Sequence, residues 1–498
     1  MSFGRYFLGS VAVGALLVSG VPAKAQSVDS QMRNLKQQIE QLNQQLQSLQ
    51  NQVQQTQQKQ AQTDATVNQI KTAPATAQAS GNAPFLKMSG ISPTFSSADG
   101  NFTLSPTGRL HFDMGDYVNY SKASASTTPN NLQSGVKARR ARIGVQGVID
   151  KDFGYAFIMD FGGSTTDNGS TIENAFVTYN GLPVHFIVGY QDTPYTIDEA
   201  TSSNDIMLME RSSAQVVATE FGAGDNRSAV GAWWNNDRVW AGVFGTGNAS
   251  GNSDNGGASG KGVASQLGMT GRLAFQLVQT PDATFHIGAD VAALLKPPVV
   301  AANSFRGLAL SDSPELRIDN QTILNTGTIG SAANPVTGGH VFGPELAGNI
   351  GPLYGQAEYF HYTVDRQGVS AANFNGGYVE ASYALTGEHR LYKPTAGAYS
   401  GLTPAHPFSP LSGGGWGAWE VAARYSVIDL NDMLGSSTGI AGGKQQTYSV
   451  GLNWYPSTNL RFMLDYIHAK VDKQASATSD TPVGASMDAI AMRTQFAF

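Results

Sequence analysis

The stretch KARRARIGVQG, residues 137–147, sets Arg139, Arg140 and Arg142 among Ala141, Ile143 and Val145 in a chain that is only 14% charged. A packed core would strip water from three cations at heavy cost. A helix repeats its faces every 3.6 residues and would not turn apolar on alternate positions. Alternation of this kind describes one strand, apolar on one side and charged on the other.

The same period of two recurs at Arg109–Gly115, Tyr155–Phe161, Leu267–Leu277, Phe285–Ala293, Trp419–Val427, Tyr448–Trp454, Leu460–Tyr466 and Ile490–Phe498. Long Gly-, Asn- and Ser-rich loops fall near Gly245–Gly262, Gly327–Gly339 and Leu402–Gly415, and tight turns at Asp150–Asp152 and Tyr455–Asn459. Strands joined alternately by turns and loops fit an all-β fold, a transmembrane antiparallel β-barrel with turns at one end and loops at the other. Closure pairs every backbone group in a bilayer and leaves no edge. A β-propeller would repeat a motif about every 40–50 residues, and none recurs. In a soluble sandwich the apolar parity would favour Val, Ile and Leu. Here it carries Tyr155, Phe161, Tyr448, Trp454, Tyr466 and Phe498 near strand ends, as interfacial girdles require.

The N-terminal part reads differently. Arg5, an apolar run over Phe7–Val18 and the small-x-small site Ala23-Lys24-Ala25 predict a signal peptide over 1–25. Its removal takes the formal charge from −6 to −8. Residues 26–71 predict an α-helical coiled coil. Met32, Ile39, Leu46 and Val53 repeat every seven residues, with Leu35, Leu42 and Leu49 between them. The Ala-, Pro- and Gly-rich residues 72–84 form a flexible linker, and 85–498 the barrel domain. The chain has no cysteine, which excludes disulfides and thiolate metal sites. Its acidic balance gives no reason to expect nucleic acid.

Five segments in order, RRARIGVQGVIDKDFGYAFIMDF (139–161), VGYQDTPYTIDE followed by MLMERS (188–212), LTGEHRLYK (385–393), GAWEVAARYSVIDLND (417–432) and GLNWYPSTNLRFMLDYIHAKV (451–471), resemble the phosphate/polyphosphate-selective porin family of Gram-negative outer membranes. The final RTQFAF, on an alternating last strand, resembles the assembly signal of outer-membrane proteins. The family resemblance implies a barrel of 16 strands, with 18 as the alternative. It also implies a homotrimer in the outer membrane and passive diffusion of small hydrophilic solutes and ions, often anions. The coiled coil would then lie in the periplasm, clustering three chains or reaching peptidoglycan. A dedicated phosphate or polyphosphate channel is the alternative function.

If aliphatics and aromatics face lipid, their neighbours line the pore: Arg109, His111, Asp113, Arg140, Arg142, Asp160, Arg272, Asp290, Arg424, Arg461, Asp465 and Arg493, joined by Gln146, Gln276, His286, Glu358, Glu380 and Glu420. Arg139 shares parity with Ile143 and is expected to snorkel to the interface. The resemblance places a constriction loop after Tyr190, where Asp192, Asp198, Glu199, Asp205 and Glu210 outnumber Arg211. The lysines of a phosphate eyelet are absent there. Seven arginines against seven carboxylates on the pore parity argue for a mixed lining rather than strict ion exclusion. Pairing among themselves is the structural alternative for those arginines.

Catalytic patterns are weak. The histidines show no metal-ligand spacing, so no metal or cofactor is expected. GASGKG (257–262) has Asn255 and Gly262 where a P-loop needs Gly and Ser/Thr. GTGNASG (245–251) reads as a loop, and Asp198 and Glu199 as loop charges with nothing nearby to raise a pKa. An enzyme is not expected.

Overall fold

The computed structural model describes residues 85–498 except 90, 164–169, 223–226, 250–265, 301–304 and 411–413, together with positions 36, 40, 44 and 47. Two compact units divide the chain, Met1–Gly81 and Asn82–Phe498. In the first, Lys36, Glu40, Gln44 and Gln47 are helical and exposed, and all four fall off the heptad seam. The signal peptide, the seam itself, the linker and GASGKG lie outside the described residues.

The second unit is a closed antiparallel barrel of 16 strands. In chain order they are β1 Thr103–Lys122, β2 Gly135–Ile149, β3 Phe153–Asp160, β4 Thr171–Tyr179, β5 His185–Gln191, β6 Arg227–Asn235, β7 Val239–Ala249 and β8 Leu267–Gln279. The second half comprises β9 Ala283–Lys296, β10 Val336–Ile350, β11 Leu353–Arg366, β12 Ala372–Ala384, β13 Ala418–Asp432, β14 Ile440–Ser457, β15 Leu460–Asp472 and β16 Ala485–Ala497. Each pairs with the next, and β16 closes on β1 from Ala485↔Lys122 to Ala497↔Arg109. A short hairpin, Phe85–Ser89 with Ser92–Ser96, pairs with the start of β1 outside the ring. It raises the hydrogen-bonded sheet to 18 strands without widening the barrel, which settles the choice between 16 and 18.

Alternation builds the wall as expected. Leu110, Phe112, Met114, Ile143, Phe157, Leu273, Phe275, Val291, Leu464 and Met492 are all exposed on the outer face. Outward aromatics stack across strands, as in Trp419–Trp454 and Trp454–Phe462, both 5.5 Å between centroids. Tight turns need left-handed backbone, and Asp150 and Lys151 supply it between β2 and β3 at φ 54° and 64°.

Two departures reshape the interior. GTGNASG is mostly strand, because β7 runs to Ala249. Gly327–Gly339 likewise ends a strand, Leu324–Ile329, and then enters β10. The long connections also do not share one end. Residues 192–226 and 297–335 enter from the loop end, whereas 385–417, joining β12 to β13, enter from the turn end. Helix α1 (Ile197–Ala200) is capped by Thr196, whose side chain accepts from Glu199 N. Helix α2 (Ser213–Gly222) begins beyond Ser212, whose hydroxyl accepts from Gln215 N. Val217 and Phe221 of α2 pack on Leu310, Leu324, Phe360, Tyr362, Phe374 and Leu430, so part of the lumen is an apolar core. Ile197, Met207 and Leu208 form a second one with Tyr354, Ala398 and Tyr399.

Leu464→Arg should destabilise the folded barrel by about 2–4 kcal/mol, the cost of a cation facing mid-bilayer lipid. Urea-titrated folding into vesicles measures it; an unchanged midpoint would mean the outer face of β15 is not lipid-facing.

Candidate pore constriction

Most residues read as pore-lining are buried rather than open to water; Arg109 and Arg142 are half-buried and Gln146 is exposed. The segment Asn204–Glu210 runs through turns and bends along one side of the lumen, and the wall holds its backbone. Arg461 donates to the carbonyls of Asn204, Ile206 and Met207 at 3.2, 2.8 and 3.2 Å, and lies 4.8 Å over the Tyr455 ring. Asn453 donates to Met207 O, and Asp465 accepts from Met209 N at 2.8 Å. Arg424 donates to Glu210 O at 2.8 Å, Gln495 to Asn204 O at 3.0 Å, and Arg493 to Met209 O. Irregular backbone outside a helix or sheet needs such partners, since its polar groups are otherwise unsatisfied.

The acidic excess of this segment is neutralised in place. Glu210 lies 2.8 Å from both Arg139 and Arg493, and Arg493 also grips Asp113 at 2.6 and 2.7 Å. Burial pushes the Glu210 pKa up, but Arg139, Arg493 and Arg140 outweigh it and hold the carboxyl well below its usual range. Arg211 approaches Asp198 at 3.7 Å and Glu199 at 3.5 Å. Asp198 is nevertheless raised, by burial that Arg211 and Arg424 only partly offset, which corrects the expectation that nothing there would shift a carboxylate. Asp205 meets Lys393 at 3.4 Å.

Arg139 requires a second correction. The β1–β2 register passes from His111↔Arg140 to Phe112↔Ala138, so Arg139 is the extra residue of a bulge. The bulge reverses parity above it. Arg139 reaches Glu210 inside, and Lys137 turns inward onto Arg317 O and Asn320. Other partners also escaped the strand pattern. Glu315, from the 297–335 segment, binds Arg424, Ser426 and Ser213 N. Arg390, from the turn-end segment, pairs with Glu420 at 2.8 Å. Glu173, beside a bulge in the β3–β4 pairing, binds Arg142. Arg390 belongs to the quoted LTGEHRLYK motif and was within reach; Glu315 and Glu173 carried no local signal.

What remains open is basic. A cavity of about 180 Å³ is lined by Arg109, Arg140, Arg142 and Arg211, with Glu173, Asp192 and Glu199 opposing them and Thr201, Ser202 and Ser203 alongside. Arg142 is engaged by Asp160 at 2.7 Å and by Glu173. Arg109 instead donates to the hydroxyls of Ser203 and Ser202, at 2.6 and 3.1 Å. Arg140 has only His111 Nδ1 at 3.5 Å, and its Nε has no hydrogen bond. Among the described residues neither Arg109 nor Arg140 makes an ion pair. Toward the loop end a cavity of about 500 Å³ is lined in part by Arg139, Arg227 and Arg317.

Residues 105–498 match the family model described as phosphate-selective porin O and P. The chain belongs to this family. An uncharacterised protein of Caulobacter vibrioides is 30% identical over 75% of this chain and 70% of its own. Porin O of Pseudomonas aeruginosa is 27% identical over 80% of this chain and 89% of its own. Among solved structures, the anion-selective porin from Comamonas acidovorans is 13% identical, covering 80% of this chain and all of that one at a TM-score of 0.48. By that membership the protein is an outer-membrane porin, a β-barrel channel.

Arg493→Met would leave Asp113 and Glu210 buried with one cation fewer. It should cost about 3–5 kcal/mol, against about 1.5–3 kcal/mol for Arg109→Ala, which loses hydrogen bonds to Ser202 and Ser203 but, among the described residues, no ion pair. Urea midpoints of the two variants against wild type measure the difference; equal losses would contradict this account of the pairs.

Proposed function

We propose that this porin passes small hydrophilic anions in preference to cations, using Arg109 and Arg140 as the contact point. The carrying observation is that these two guanidinium groups share one small cavity without ion pairs, while the other lumen arginines are engaged. An anion entering between them gains charge-assisted hydrogen bonds that the folded wall leaves unused. The selectivity is moderate, because Glu173, Asp192 and Glu199 line the same cavity. The pore-lining role extends to Arg142 and Arg211, whose charge is shared with acids. Asp113, Asp160, Arg272, Asp290, Arg424, Arg461, Asp465 and Arg493 serve the wall and the constriction segment instead.

A dedicated phosphate channel is the second reading. The observation favouring it is the donor set, guanidinium groups with three adjacent hydroxyls, which suits a tetrahedral oxyanion in a cavity of about 180 Å³. Missing lysines in the constriction weigh against it.

Reversal potentials in a KCl gradient across a planar bilayer test the first reading. Arg140→Ala should lower the chloride-to-potassium permeability ratio about fivefold, equivalent to roughly 1 kcal/mol for one unit charge about 4 Å away in water. An unchanged ratio would remove Arg140 from the anion path. Strong block of chloride current by inorganic phosphate, lost in Arg109→Ala, would favour the second reading.

Membership of a porin family and the heptad seam support a homotrimer with the coiled coil of 26–71 in the periplasm, after cleavage of 1–25 and ahead of the linker 72–84. Deleting residues 28–70 should lower the temperature at which the trimer dissociates on a gel. A trimer of unchanged stability would assign the helix to peptidoglycan contact instead.

A further inference from the structure

Away from the arginine cavity, three carboxylates converge on the inner wall. Asp290 of β9, Glu345 of β10 and Glu358 of β11 each offer an oxygen within 4.8 Å of the others, and all three are buried. Glu345 and Glu358 stand directly opposite in the β10–β11 register, where like charges repel. The neighbouring strands make room for them. Gly288 pairs with Glu345 and Gly343 with Asp290, and a Cβ on either glycine would overlap a carboxylate oxygen.

The surroundings compensate only part of this charge. Glu345 is held by Arg272 at 3.0 and 3.1 Å and by His286 Nε2 at 2.9 Å. Glu358 accepts from Tyr378 Oη at 2.5 Å and from Ile197 N at 3.0 Å. Both oxygens of Asp290 are buried without a hydrogen bond among the described residues. The Tyr195 hydroxyl, on a residue 1% exposed, faces Asp290 without a hydrogen bond of standard geometry to any described residue. Tyr195 comes from the segment after β5, so this hydroxyl reaches the cluster from outside the three strands.

We propose that Asp290, Glu345 and Glu358, with the Tyr195 hydroxyl, bind one hard divalent cation of the calcium class. All the donors are oxygens, the preference of such ions. Oxygens up to 4.8 Å apart can share one ion at about 2.4 Å from each, the usual calcium distance. With Arg272 neutralising Glu345, Asp290 and Glu358 would supply the two negative charges that a bound ion balances. The bound ion would tie the start of the constriction segment to β9–β11, on the wall away from the anion path. The site does not depend on which solute the pore carries.

The test uses full-length protein in detergent, stripped with EDTA and dialysed. Equilibrium dialysis with calcium should find one ion per wild-type chain that is lost in Asp290→Asn and in Glu358→Gln. Terbium should give tyrosine-sensitised emission that calcium displaces, with affinity weakened about tenfold in Tyr195→Phe. Heat-modifiable migration on gels reports whether each variant folds, and either folded carboxylate variant is sufficient. Wild type and folded variants binding the same amount of calcium would overturn the proposal, the ion then being adventitious. So would a wild type that binds no calcium and gains stability on acidification through the carboxylate range, the cluster then holding protons.

Discussion

A strand in hydrocarbon has no water to turn to, so each of its N–H and C=O groups must find another strand. Ring closure between β16 and β1 meets that demand, and most of the architecture follows from it. Once the ring is closed, one parity meets lipid and the other is enclosed, and the chain has no third place for a charge. This is why arginines and carboxylates collect inside in a protein with so few charged residues. It is also why the three long inward segments meet the wall largely through side chains and form sheet only within themselves: the wall has already used most of its own backbone.

The interior charges then sort by availability. Arg272, Arg424 and Arg493 meet carboxylates, Arg461 meets carbonyl oxygens, and Arg142 divides itself between Asp160 and Glu173. Pairing of this kind costs desolvation on both partners and returns a fixed geometry rather than large net stability. Glu210 is matched in this way by Arg139 and Arg493, while Arg109 and Arg140 make no ion pair among the described residues.

Much of this was legible in alternation alone. The outward set from Leu110 to Met492 and the inward set from Arg109 to Arg493 follow from a period of two. The reading failed at Arg139, because a single bulged residue reverses parity without leaving a trace in composition. It was silent on Phe360, Tyr362 and Phe374, inward-facing yet apolar, because the α2 helix covering them comes from a distant segment. Glu315 was invisible for the same reason, and an acid-rich count over Asp192–Arg211 could not show that Glu210 comes to lie against Arg139 and Arg493.

The contact between Arg390 and Asp205 joins a segment rooted at the turn end to one rooted at the loop end. Arg390 donates to the Asp205 carbonyl at 2.5 Å while its other nitrogens clasp Glu420 on the wall. The narrow part of this channel is thus a strut fastened at both mouths, not a flap hinged at one. Arg390 is therefore the point at which the two mouths of the barrel share a constraint: its loss would free the Asp205 turn and the 385–417 segment together.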